Sequence, residues 1–127
     1  MLPAGSRLTS AGEFASVIRR GRRSGRGRLV VHLQIMGHSD EGSGDEGTRV
    51  PRAGLVVSRA VGGSVVRHRV SRRLRHLLAP RLAALPEGSR VVVRALPPAA
   101  EASSAELGVD LDAGLRGALR KQPGAPR

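Results

Sequence analysis

The segment VVRHRVSRRLRHLL, residues 65–78, holds the densest chemistry in the chain: five arginines and two histidines alternate with six valines and leucines, and no acid interrupts them. Guanidinium groups fork onto phosphate oxygens and stack on bases, and a protonated imidazole donates to the same oxygens. At about 100° per residue, Val66, Val70, Leu74, Leu77 and Leu78 fall within an arc of about 120°, with Arg69, Arg72, Arg73, Arg75 and His76 opposite. The pattern predicts an amphipathic helix that docks its aliphatic stripe on a sheet and leaves an arginine face in water. Arg67 lies nearer the stripe, in the first turn, where it can reach over the sheet edge. A charged helix face is usually a solvated one that mixes signs at i, i+4. Here no acid occurs between Arg52 and Glu87, so the repulsion stays uncompensated unless a polyanion supplies the counter-charge.

Other chemistries find less support. His32, His38, His68 and His76 are scattered and have no cysteine or close carboxylate beside them, so no metal site is expected. The serines lack a G-x-S-x-G setting, and Gly21 to Gly27 opens no G-K-[ST] helix, so no catalytic residue is expected either. A membrane-surface helix would want Trp or Phe on its apolar face, and none is there. A DNA-reading helix would want Asn or Gln at base edges and a partner helix before it, and both are missing.

These residues must be positioned by a small scaffold. The chain has 127 residues, a formal charge of +12 and a single lysine, Lys121, among 22 basic residues, which favours a polyanionic partner. The length is about that of one domain, expected over 1–127. Phe14 is the only aromatic residue, so the core must be aliphatic. The absence of cysteine fits a reducing compartment, and no signal peptide or run of roughly 20 apolar residues is visible, so a cytoplasmic protein is expected.

Ser10 to Glu13 has capping-box spacing and opens a helix over about 10–20 carrying Phe14, Val17 and Ile18. Residues 19–28 then read as a basic loop or short edge strand. Strands are expected over 29–36, 52–58 and 90–95. Residues 37–48, with Asp40, Glu41, Asp45 and Glu46, read as a flexible acidic loop, and 122–127 as a frayed tail. The run PPAA breaks regular structure, and a second capping box at Ser103 to Glu106 opens a last helix carrying Leu107, Leu111, Leu115 and Leu119. The expected class is α+β, a small mixed sheet with packed helices in the order α-β-β-β-α-β-α.

The run Arg67-His68-Arg69-Val70-Ser71-Arg72 at a helix start, preceded by GLVVSRAVGGSVV, resembles the signature of the protein subunit of bacterial ribonuclease P. RLTSAGEFASVIRRG resembles that family's first helix, and the likeness runs from about Leu2 to Leu119. His68 stands where the family usually has asparagine, and Ser71 where it usually has lysine. Ile18 and His32 replace positions that are often aromatic.

The resemblance implies a fold like the second domain of ribosomal protein S5 (ribosomal-protein-S5-domain-2-like), with a left-handed βαβ crossover. It implies a subunit without catalytic residues in a ribonucleoprotein endonuclease of tRNA processing: the RNA subunit, with bound Mg²⁺, removes the 5′ leader of precursor tRNA, and the protein binds that RNA and the leader. Arg67, His68, Arg69, Arg72, Arg73 and Arg75 would face the catalytic RNA. Phe14, Ile18 and His32 would line a leader-binding cleft, with Ser58 and Arg59 near its edge; Phe14 can equally be a core residue, and for Ile18 the core is the stronger reading. Neither membrane nor DNA is expected as a partner. The competing class is a non-enzymatic RNA-binding protein of ribosomal type.

Overall fold

The structure is a computed structural model that describes residues 6–8, 10–36 and 50–122. Its element order is α1 (Ala11–Arg20), β1 (Arg22–Arg26), β2 (Leu29–Ile35), β3 (Arg52–Val56), α2 (Ser64–Leu82), β4 (Ser89–Ala95) and α3 (Ser104–Arg120), with a 3-10 turn at Pro97–Glu101 between β4 and α3. The four strands form one sheet in the order β1-β2-β4-β3. β1 pairs antiparallel with β2, and β2 antiparallel with β4, whereas β3 runs parallel to β4 through the α2 crossover.

Both capping boxes form. Ser10 Oγ accepts from the Glu13 N–H at 3.0 Å, and Ser103 Oγ from that of Glu106 at 3.1 Å, while each glutamate accepts from its cap's own N–H. The basic stretch after α1 resolves as an edge strand, joined to β2 by the two-residue turn Gly27-Arg28. Gly27 takes the left-handed backbone there, at φ 52°, which a tight hairpin requires. The expected strand over 52–58 ends at Val56, and Ser58 already belongs to a turn in which its carbonyl accepts from Val61 N–H.

The α2 helix runs one turn beyond the expected stretch, straight through Pro80. Proline removes an i to i−4 bond and presses on the carbonyl of His76. Pro80 and His76 are both exposed, and burial of Leu82 and the bonds of Arg81 hold the final turn in place. The PPAA run, expected to be irregular, forms the 3-10 turn. The acidic stretch expected to be flexible, 37–48, and residues 123–127 lie outside the described residues. Gln122, where the tail begins, donates to the carbonyls of Leu33 and Ala118.

Strand alternation divides the sheet into two faces. On one, Leu29, Val31, Leu33, Val91, Val93, Ala95 and Ala53 pack against Val70, Leu74, Leu78 and Leu82 of α2 and Leu107, Leu111, Leu115 and Ala118 of α3. On the other, register aligns Arg23, His32, Val92 and Gly54 in one row and Gly25, Val30, Arg94 and Val56 in the next. There α1 lies over a small cluster of Leu8, Val17 and Val92, with Phe14 and Val56 against it. Three ion-pair clamps fasten the helices. Glu13 of α1 reaches Arg52 and, at 3.8 Å, Arg90. Arg28 holds Glu106 and Asp110 of α3, and Arg81 of α2 holds Asp112 of α3.

The approach of α3 to β1 and β2 depends on glycines. A Cβ at Gly114 would lie 2.5 Å from a methyl of Val31, which is fully buried and has nowhere to move. Alanine would gain about 0.5–1 kcal/mol of helix propensity there, but overpacking costs about 1–3 kcal/mol. The clash wins: Gly114→Ala is expected to lower the unfolding free energy by about 1 kcal/mol, read by urea denaturation, whereas Gly12→Ala, in open space on α1, should not lower it.

Candidate nucleic-acid interface

The predicted stripe of α2 is the one it buries, with Val66 and Leu77 partly covered at its margins. The opposite face does not all stay in water. Arg69 Nη2 donates to the Ala100 carbonyl at 3.1 Å and Arg73 Nη1 to the Ala102 carbonyl at 2.6 Å, because the 3-10 turn packs alongside the helix. Both side chains are half-buried. Arg72, Arg75, His68 and His76 are exposed. Arg67 is half-buried, and the Nε groups of Arg67 and Arg69 are buried without a hydrogen-bond partner among the described residues.

An open groove over the first half of α2 is lined by Ser64, Val65, His68, Arg69 and Arg72. The helix begins at Gly63 with no side-chain cap and no acid in its first turn. Its leading N–H groups and dipole therefore favour an anion at the end where Arg67, His68 and Arg69 begin. Hydrogen-bond donors and positive charge thus converge on one surface, which suits a phosphate backbone.

The α1 side of the sheet forms a second surface. The Phe14 ring lies over Gly54, so closely that any Cβ at that glycine would overlap it, and the ring stays half-buried. Ile18 is among the exposed large hydrophobic residues. His32 is buried, and neither ring nitrogen has a partner among the described residues. Burial, then the charges of Arg94 and Arg23, push its pKa below the ordinary 6.5, so the imidazole is neutral at neutral pH. Ser58 and Arg59 are exposed in the turn beyond β3, whose end lies beside Arg94 in register. The structure therefore gathers Phe14 and His32 under and beside α1, while Ser58 and Arg59 stand at the far end of the strand.

Arg23, Arg90 and Arg94 were not among the expected site residues, yet they share this face with His32 or Val92. Period-two alternation in RVVVR was the available signal: a strand that sends Val91 and Val93 to the core must send Arg90, Val92 and Arg94 the other way. Among the described residues no group of three or more His, Asp or Glu is placed to hold a metal ion, and no helix is long and apolar enough to cross a membrane.

A family model described as Ribonuclease P matches residues 2–119. The chain belongs to the ribonuclease P protein family. The ribonuclease P protein component of Streptomyces bikiniensis is 56% identical over 116 residues, covering 91% of this chain and 94% of that one. The component of Corynebacterium diphtheriae is 46% identical over 123 residues, covering 96% and 100%. Among solved structures, a Staphylococcus aureus RNase P protein matches with a TM-score of 0.72 at 18% identity, covering 89% of this chain and 94% of that one. One from Thermotoga maritima matches at 0.68 and 19% identity, covering 92% and 98%. A ribonuclease P protein component is one part of a ribonucleoprotein endoribonuclease and associates with its RNA subunit.

The neutral state of His32 has a measurable consequence. Below 6.5 the unfolded chain binds a proton that the native imidazole resists, so stability falls as pH drops through 6.5 toward the lowered native value. Comparing urea unfolding at about pH 7.5 and about pH 5.5, the wild type should lose more stability than His32→Gln, which cannot titrate. Glu106, held down by the Ser103 backbone N–H and then by Arg28, and Asp112, held down by its hydrogen bonds from Arg81, act at lower pH and are common to both proteins.

Proposed function

We propose that this chain binds the ribonuclease P RNA through the outer face of α2 and the 5′ leader of precursor tRNA through the α1 side of the sheet, assisting endonucleolytic removal of the leader in the bacterial cytoplasm. The observation that carries the reading is α2 itself, where an uncapped N-terminus, the half-buried Arg67 and Arg69 and the exposed His68, Arg72 and Arg75 share a helix that contains no acid. Mg²⁺, bound mainly by the RNA, supplies the hydrolytic chemistry. The chain's own residues bind and orient. Arg72 and Arg75 are free to fork onto phosphates, and Arg69 and Arg73 offer their remaining N–H groups from positions pinned by the 3-10 turn. His68, in the place of the family's asparagine, offers an imidazole N–H instead of an amide.

On the α1 side, Phe14 presents part of a ring for stacking against an unpaired base, and Arg94 and Arg23 flank the floor formed by His32. The reading gives neither membrane nor DNA a part.

Added to a bacterial ribonuclease P RNA at low Mg²⁺, the protein should restore leader cleavage. RNA binding without stimulation of cleavage would leave only the ribosomal-type alternative. Arg72→Ala with Arg75→Ala should weaken RNA binding and flatten its dependence on salt, by about 0.7–0.9 in log–log slope for each lost phosphate contact, with the thermal midpoint unchanged. Arg73→Ala should lower both affinity and midpoint, because it also loses the bond to Ala102. An unchanged salt slope in the double variant would remove these side chains from the RNA contact.

A further inference from the structure

A second cationic surface stands at the β1 edge of the sheet, opposite the β3 edge over which α2 packs. The last turn of α1 carries Arg19 and Arg20, β1 starts with Arg22 and Arg23, and α3 ends in Arg120 and Lys121. Backbone contacts bring these three elements to one place. A Cβ on Gly21 would lie 3.0 Å from the Leu33 carbonyl oxygen, Arg22 faces Leu33 in register, and Gln122 Nε2 donates to that same carbonyl at 2.9 Å. Lys121 Nζ donates to the Arg23 carbonyl at 2.7 Å, tying the end of α3 to β1.

All six basic side chains are exposed, and among the described residues none of them forms an ion pair. Glu13, Glu106, Asp110 and Asp112 are engaged with Arg52, Arg28 and Arg81 instead. Basic residues suit the negative ends of two helix dipoles, which accounts for Arg19, Arg20, Arg120 and Lys121. It does not account for Arg22 and Arg23 on the strand.

We propose that this surface holds the phosphate backbone of leader nucleotides that extend beyond the cleft under α1. The inference rests on the reading of that cleft as the leader site. Continuity selects the leader over the RNA subunit: Arg23 stands opposite His32 in register, at the margin of the cleft. By contrast, α2 packs over β3 while α3, on the same face, covers β1 and β2, so the helix assigned to the RNA subunit lies at the opposite edge of the sheet. Alternation turns Arg23 to the α1 face and Arg22, opposite Leu33, to the α3 face, so a single strand that leaves the cleft past Arg23 and rounds the β1 edge meets Arg20, Arg22 and the end of α3, forks that read no sequence and grip any backbone.

The test uses the holoenzyme assembled with the triple variant Arg20→Ala, Arg22→Ala, Arg120→Ala, and precursor tRNAs whose leaders are shortened one nucleotide at a time from the 5′ end. For the wild type, affinity should rise as the leader lengthens. The variant should match it on the shortest leader and fall about tenfold behind on the longest, with a salt slope lower by about 2, near 0.7 for each of three single-strand phosphate contacts. Arg22→Ala alone, away from both helix ends, should show the same ordering with a smaller gap if the triple variant folds poorly. A variant that follows the wild type at every length, or that loses affinity equally for mature tRNA, overturns the inference and leaves the cleft reading standing. A wild type indifferent to leader length overturns both.

Discussion

One strand, β4, decides what each face of this protein can do. It is paired on both sides, so its side chains have only two directions, and alternation sends Val91, Val93 and Ala95 to the core with α2 and α3 while Arg90, Val92 and Arg94 point to α1. The first set supplies the apolar floor on which the arginine-rich helix sits. The second places charge on the surface that α1 only partly covers. A slip of one residue would exchange the sets, burying two arginines under α2 and exposing two valines. The location of the cationic helix and of the charged surface beside α1 both follow from that register.

Charge is then allocated by geometry. Four of the acids among the described residues each fasten one element to another: Glu13 joins α1 to β3 and β4, Glu106 and Asp110 join α3 to the β1–β2 turn, and Asp112 joins α3 to α2. Pairs open to solvent, such as Arg28 with Glu106, contribute little to stability, on the order of 0–1 kcal/mol. Their effect is positional, and it leaves the outer face of α2 and the start of β1 with arginine and no counter-ion among the described residues. The aliphatic core holds the molecule together, and the cations without a counter-ion among the described residues are available to a polyanion.

The basic helix, its buried stripe, both capping boxes and the α-β-β-β-α-β-α order were readable from local pattern, because each depends on residues within a few positions of one another. The motif around Arg67 to Arg72 was likewise readable in one run. Local pattern marked the helix only over 65–78, since the forces that carry α2 on through Pro80 come from Leu82 in the core and Asp112 on another helix. It also placed Arg69 and Arg73 fully in water, where the 3-10 turn some 30 residues later claims one donor from each.

The sequence by itself therefore determined that this chain is a small α+β protein with a cationic helix seeking a polyanion, since composition and helical periodicity are properties of contiguous residues. Only the tertiary structure decided which arginines remain available, that His32 is buried near Arg23 and Arg94 without a partner among the described residues, and that Arg20, Arg22 and Arg120 meet at one edge. Those outcomes depend on strand register and helix packing, which bring together residues up to about a hundred positions apart, and no local period encodes that proximity.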